Sequence, residues 1–214
     1  LHRLAIQLVV VHGGGPQLDA LTEKLGMEVE RVAGRRITSP EVLDAAKMLF
    51  RGQLSLDFVS ALKAQGEIAV GLSGADGSMI QAVKRPAAIV EDDNGEMVQV
   101  DFGEVGDVCS VDTTVLLKNL EAGVIPVVSP LAMDEAGTIL NCNADTLAAE
   151  LAIALGAAKL ILMSNIPGIL TDVDDPTSTL HYTDLEEITA LEEKGAFSRG
   201  MRPKVAALRL ALEG

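Results

Sequence analysis

The stretch Leu8-Val9-Val10-Val11-His12-Gly13-Gly14-Gly15-Pro16 decides the fold, because a continuous apolar run passes straight into three glycines and then a proline. Four apolar residues without alternation read as a strand buried on both faces, which is the habit of parallel sheets under helices. Pro16 suits the first turn of a helix, whose apolar positions Leu18, Leu21 and Leu25 recur at helical spacing before the stop at Gly26. Strand, glycine run and helix start together make a nest of N–H groups at a helix N-terminus, a place for a phosphate or a carboxylate.

Two familiar loops are excluded. No Gly-Lys dipeptide occurs in the chain, so the nest is not a Walker A loop. The third glycine of a dinucleotide fingerprint would fall on Leu18, and Pro16 changes the turn.

The same alternation continues along the chain. Apolar runs at 69–72, 124–128 and 160–163 predict strands, and periodic segments at 40–50, 54–65, 113–122, 144–155 and 204–212 predict helices. Asn94-Gly95 between β-rich arms over 88–100 predicts an antiparallel flap. The expected class is α/β, with ligands at the carboxyl ends of the strands. A soft division is expected near Gly156, giving lobes 1–155 and 156–214 on one continuous sheet.

Composition narrows the partners. Hydrophobic residues make up 48% and aromatics 2%, so the core is built from Ala, Val, Leu and Ile. A net charge of −14 disfavours a polynucleotide, whose binding needs clustered Lys and Arg. No apolar run is long enough for a membrane span, and Cys109 and Cys142 fit no metal or redox spacing, which predicts a protein of the reducing cytoplasm.

Further polar clusters follow predicted strands. Gly71-Leu72-Ser73-Gly74-Ala75-Asp76-Gly77 offers a second set of amides or a plain turn. Asn141-Cys142-Asn143-Ala144-Asp145 precedes a helix, where Asn143 is either a cap or part of a site. Ser164-Asn165-Ile166-Pro167-Gly168 reads as a nucleotide border or a turn. Lys204 opens a helix after Gly200-Met201-Arg202-Pro203, against the positive helix end, and so invites an anion.

With these motifs and Gly34-Arg35-Arg36-Ile37-Thr38, all in order, the chain resembles the amino-acid kinase family across almost its whole length, most of all the branch acting on N-acetylglutamate. The resemblance implies an open, mainly parallel sheet between helices (the carbamate kinase-like fold), with an N-terminal lobe for the amino acid and a C-terminal lobe for ATP. It implies ATP-dependent phosphorylation of the side-chain carboxylate of N-acetyl-L-glutamate, in arginine biosynthesis, with Mg²⁺ and with no metal ligand set of the protein's own. By motif, Gly14 and Gly15 would hold the phosphoryl group and substrate, Arg36 the α-carboxylate, and Asn141 the amide end. Lys204 would stabilise the transferring phosphoryl and Asp145 would orient lysines. Ser164, Asn165, Pro167, Gly168, Leu170 and Ser198 would border the nucleotide.

A homodimer or higher homo-oligomer is expected on the same ground. So are a lysine and glycine pair before Leu1 and further strands after Gly214, making the sequence a piece of a longer enzyme. Two departures mark this chain: Arg35 stands where the branch usually has an apolar residue, and Asn165 where Asp is usual. The second resembles aminoadipate-type kinases of lysine biosynthesis, and a non-catalytic homologue of the same fold is the further alternative.

Overall fold

The structure, a computed structural model, describes residues 6–32, 34–92, 94–163, 168–170, 175, 178–194, 197 and 201–214. Two compact units are present, Leu1–Leu147 and Ala148–Gly214.

The first unit is centred on a three-stranded parallel sheet. Its strands are β1 (Val10–Val11), β4 (Ala69–Ser73) and β9 (Ile125–Ser129), in the order β1-β9-β4. Every residue of the middle strand, β9, is buried, as a strand with neighbours on both edges and helices over it must be. Pro126 is tolerated there for a local reason. Ile125 N–H donates to Ile68 O on the β4 side, so alternation turns residue 126 toward β1, whose pairing begins only at Val127. The apolar run at 8–11 yields just two ladder residues.

The helices of this unit are α1 (Gly15–Lys24), α2 (Pro40–Lys47), α3 (Ser55–Ala64) and α4 (Thr114–Glu121), and α3 and α4 pack against β9. Between α2 and α3 the chain does not stop and restart as the sequence suggests. Met48–Leu54 winds as a π turn, so 40–64 is continuous helix with a wide segment in its middle. Leu18, Val42, Ala45, Ala46, Leu49, Phe50 and Leu131 form the core beneath it.

A second sheet runs β11-β10-β5-β8, with β5 Ile80–Lys84, β8 Gly106–Val111, β10 Leu131–Met133 and β11 Ile139–Asn141. Only its β10–β5 pair is parallel. Val105, just before β8, makes an isolated parallel bridge to Asn141 of β11. The sequence did not foretell these four strands, whose pairing is largely long-range.

Two hairpins complete the unit. One joins β2 (Arg31–Val32) to β3 (Arg35–Arg36), and the other joins β6 (Ala88–Glu91) to β7 (Met97–Val100). The second is the expected flap, but its connection spans 92–96 rather than a two-residue turn, with the Asp92 carboxylate accepting from the N–H groups of Asn94 and Glu96. Val100, Phe102, Val105, Val32 and Ile37 share a small core, which joins the two hairpins.

The helix α5 (Ala144–Ala154) carries the chain from one unit into the next, which holds α6 (Leu185–Glu193) and α7 (Arg202–Glu213). Ile188, Phe197, Met201 and Val205 form its core. The expected strand at 160–163 is not formed: residues 161–163 are irregular, and Met163 is 87% exposed. Apolar character alone does not make a strand without a neighbour to pair with.

Candidate functional site

At the end of β1 the chain passes His12 and the three glycines into α1. The helix start has no side-chain cap, and Pro16 in its first turn has no N–H. The N–H groups of Gly14, Gly15 and Gln17 therefore gain no intrahelical acceptor, which leaves an anion-favouring end.

The glycines are there for different reasons. A Cβ on Gly14 would lie 2.5 Å from Leu54 Cδ1 and 2.8 Å from Phe50 Cε1, so the π turn presses on the loop and permits no side chain. At Gly15 a Cβ would meet nothing within 4 Å. One side of the loop is packed and the other is open.

His12 braces the packed side. Its ring is 3% exposed, stacks on Phe58 at 5.2 Å, and places Nδ1 2.9 Å from Gly13 O. Since a carbonyl only accepts, Nδ1 carries the proton, and Nε2 is buried with no partner. Burial lowers its pKa and outweighs the opposing bond to Gly13 O.

Arg36 reaches the same helix start from β3. Its Nη2 donates to Gly15 O at 3.0 Å and to Asp19 Oδ1, while its Nε is buried without a partner. Asp19 also accepts from Arg31 Nη2 at 2.6 and 2.7 Å. Two residues on, Thr38 accepts at 3.4 Å from Asn141 Nδ2, and its own N–H donates to Phe102 O. Arg36 and Asn141 are thereby connected through adjacent hairpin and sheet edges. Arg35 lies over the Phe102 ring at 6.0 Å, a cation–π placement.

The second glycine cluster is a closed turn. Asp76 Oδ2 accepts from Ser73 N–H at 2.6 Å, Ser73 Oγ at 2.8 Å and Arg51 Nε at 3.1 Å. Burial would raise the Asp76 carboxyl, yet the Ser73 and Arg51 bonds prevail and hold it below its ordinary value. Gly71 is dictated by packing, because a Cβ there would collide with Ser55 Oγ.

The third cluster behaves as a cap at Asn143, whose Oδ1 accepts from Thr146 N–H at 2.9 Å. Asp145 follows in the first turn of α5, half-buried. In the second unit, Lys204 sits half-buried in the first turn of α7, next to buried Val205. Gly168 and Leu170 lie in a short antiparallel contact in which Leu170 bridges Thr179. Ser164, Asn165, Pro167 and Ser198 lie outside the described residues.

Asp19, Arg31, His12 and the Phe50–Leu54 wall were absent from the sequence-based candidates. Asp19 stands four residues beyond Gly15, one helical turn on, which was the available signal. Among the described residues, no group of three or more His, Cys, Asp or Glu side chains is arranged to hold a metal ion, and no helix is long and apolar enough to cross a membrane.

Comparison with known proteins gives a match to the amino acid kinase family over residues 1–214. The chain is 46% identical over 215 residues to the acetylglutamate kinase of Myxococcus xanthus, covering all of this chain and 70% of that enzyme. Among solved structures it is similar to smu.665 of Streptococcus mutans, at a TM-score of 0.81 and 26% identity over 98% of this chain and 79% of that one. It is also similar to the N-acetylglutamate synthase of Neisseria gonorrhoeae complexed with coenzyme A and N-acetyl-glutamate, at 0.74 and 27% over 99% of this chain and 45% of that one.

Proposed function

The chain belongs to the amino acid kinase family, and from that premise we propose that it transfers the γ-phosphoryl group of ATP to the side-chain carboxylate of N-acetyl-L-glutamate, in arginine biosynthesis. Several acetylglutamate kinases, at 37 to 46% identity, support this substrate over the aminoadipate alternative. The observation that carries the reading is the junction of Arg36 with the start of α1. A buried cationic N–H without a partner stands beside open backbone amides, and the pair suits an acceptor with one carboxylate to be held and one to be phosphorylated.

On this reading the acceptor carboxylate is already ionised at neutral pH, so no general base is required. One of its oxygens attacks the γ-phosphorus, the bond to the bridging oxygen breaks, and ADP leaves with that electron pair. Gly14 and Gly15 offer N–H groups to the transferring phosphoryl. Arg36 holds the α-carboxylate and Asn141 the acetamido end. Lys204 neutralises charge on the phosphoryl group, and Asp145 has the role of orienting lysines. The second unit borders the nucleotide, with Gly168 and Leu170 among the residues near it.

Mg²⁺ fits as a companion of the nucleotide. A hard cation that keeps most of its waters is held by phosphates and one or two carboxylates rather than by a protein cage. Bound there, it would offset the negative charge that opposes approach of the carboxylate.

We also propose a homodimer or higher homo-oligomer. Met48, Leu56, Phe58 and Ile68 are large apolar residues exposed on and beside the π turn and α3, and apolar exposure of this kind is what association with a second copy would cover. Free Cys109 and Cys142 suit a cytoplasmic setting. The test is ADP release that depends on N-acetylglutamate.

A further inference from the structure

Arg31 and Arg36 are register partners across the β2–β3 hairpin. Like charges directly opposite each other destabilise a two-stranded ladder, and strands of two residues have little else to offset the repulsion. Asp19 of α1 relieves it. Its carboxylate accepts from both guanidinium groups, so one anion ties the two arginines to the helix. The arrangement is uneven: the Arg31 side chain is 42% exposed and that of Arg36 only 11%. Burial would raise the Asp19 carboxyl, but the bonds from Arg36 and Arg31 outweigh it and keep the group anionic at neutral pH.

These contacts leave the Arg36 guanidinium little freedom. Its Nη2 has two acceptors, Gly15 O and Asp19 Oδ1, which lie four residues apart on one face of α1. Its Nε is the atom buried without a partner. A long side chain that would otherwise sample several rotamers is thus fixed relative to the very amides of the glycine nest.

We propose that Asp19 is a positioning residue that fixes Arg36 against the start of α1, leaving its Nε for the α-carboxylate of the acceptor. The proposal rests on the acetylglutamate reading. Asp19 acts through Arg36 and touches no reacting atom. Its effect is confined to acceptors that carry an α-carboxylate.

The experiment compares N-acetylglutamate with its α-amide, which keeps the reacting side-chain carboxylate, in the complete protein and its Asp19→Asn variant. For Asp19→Asn the KM for N-acetylglutamate is expected to rise about tenfold or more, the scale of one charge-assisted hydrogen bond. The KM for the α-amide and for ATP should stay near the wild-type values. Asp19→Glu, which keeps the charge, should recover part of the loss. An equal penalty on both acceptors, or an unchanged KM for N-acetylglutamate, overturns the positioning role and leaves the proposed function standing. Should Asp19→Asn not fold, Asp19→Glu carries the same comparison, and equal effects on both acceptors again overturn the role. Wild-type protein that does not turn over N-acetylglutamate overturns the proposed function and this inference with it.

Discussion

Gly14 and Leu54 are packed so closely that a Cβ on the glycine would stand 2.5 Å from the leucine Cδ1. The π turn therefore sets the shape of the glycine loop, and a widened helical turn at a site is a common way to bring a side chain where a regular turn would not.

Gly14→Ala should cost about 1–3 kcal/mol of stability, the range of an overpacked core, since Phe50 is buried and cannot yield freely. Leu54→Ala in the same chain should return part of that loss. Gly15→Ala is the contrast, because nothing stands within 4 Å of its added methyl. Stability should stay within about 1 kcal/mol of wild type or improve slightly, as Ala is the better helix former, while turnover falls about tenfold or more. Denaturant titrations alongside initial rates separate the two cases. If Gly15→Ala proves fully active, the open side of the loop does not hold the reacting groups.

Arg36→Lys keeps the charge but loses the planar fork that reaches Gly15 O and Asp19 together and that we propose holds the acceptor. The KM for N-acetylglutamate should rise about 10- to 150-fold, the equivalent of one charged hydrogen bond. Isothermal calorimetry with the acceptor alone checks this without turnover. Unaltered affinity would remove Arg36 from the acceptor site.

Lys204→Ala should lower kcat by about a hundredfold or more, corresponding to ~3–4 kcal/mol of lost charge stabilisation at the transferring group. Circular dichroism should show the fold intact, since Lys204 is only half-buried and the α7 core is made by Met201 and Val205. Near-normal turnover would take this lysine out of the mechanism.

Acid should destabilise the protein in two steps. His12 has a folded pKa below its ordinary 6.5 because burial disfavours the charged ring. As pH falls through 6.5 the unfolded chain takes up a proton that the native state refuses, so stability drops until the folded pKa is reached. Asp19 and Asp76 are likewise depressed, and their contribution is complete above the unfolded value of 3.8 and is lost below it. His12→Phe keeps an aromatic ring against Phe58 and removes the upper step. Denaturation midpoints measured against pH check this, and an unchanged slope just below pH 6.5 in that variant would contradict the assignment.

What the sequence revealed follows the range of the interactions. The glycine run, the strand expected at 124–128 and found at Ile125–Ser129, and the flap around Asn94-Gly95 are local signals, and each is present in the structure. The π turn was illegible because apolar spacing from Val42 through Leu54 is nearly the same for one long helix as for two. Strands β5, β8 and β10 owe much of their pairing to partners far away in the chain, which no local pattern announces, whereas β11 folds back on β10 as a local hairpin that the sequence reading passed over. The site divides in the same way. Gly14, Gly15, Arg36 and Asn141 belong to recognisable motifs, whereas Asp19 matters through Arg31 and Arg36, twelve and seventeen residues away.

The central claim is tested most directly by coupling ADP release to NADH oxidation for the protein, with ATP, Mg²⁺ and one acceptor at a time. N-acetylglutamate should give saturable turnover, with an acyl phosphate that hydroxylamine traps as the hydroxamate, while aspartate, carbamate and aminoadipate derivatives should give at most a small fraction of that rate. Turnover no higher with N-acetylglutamate than with the other acceptors, or no hydroxamate from it, would contradict the account.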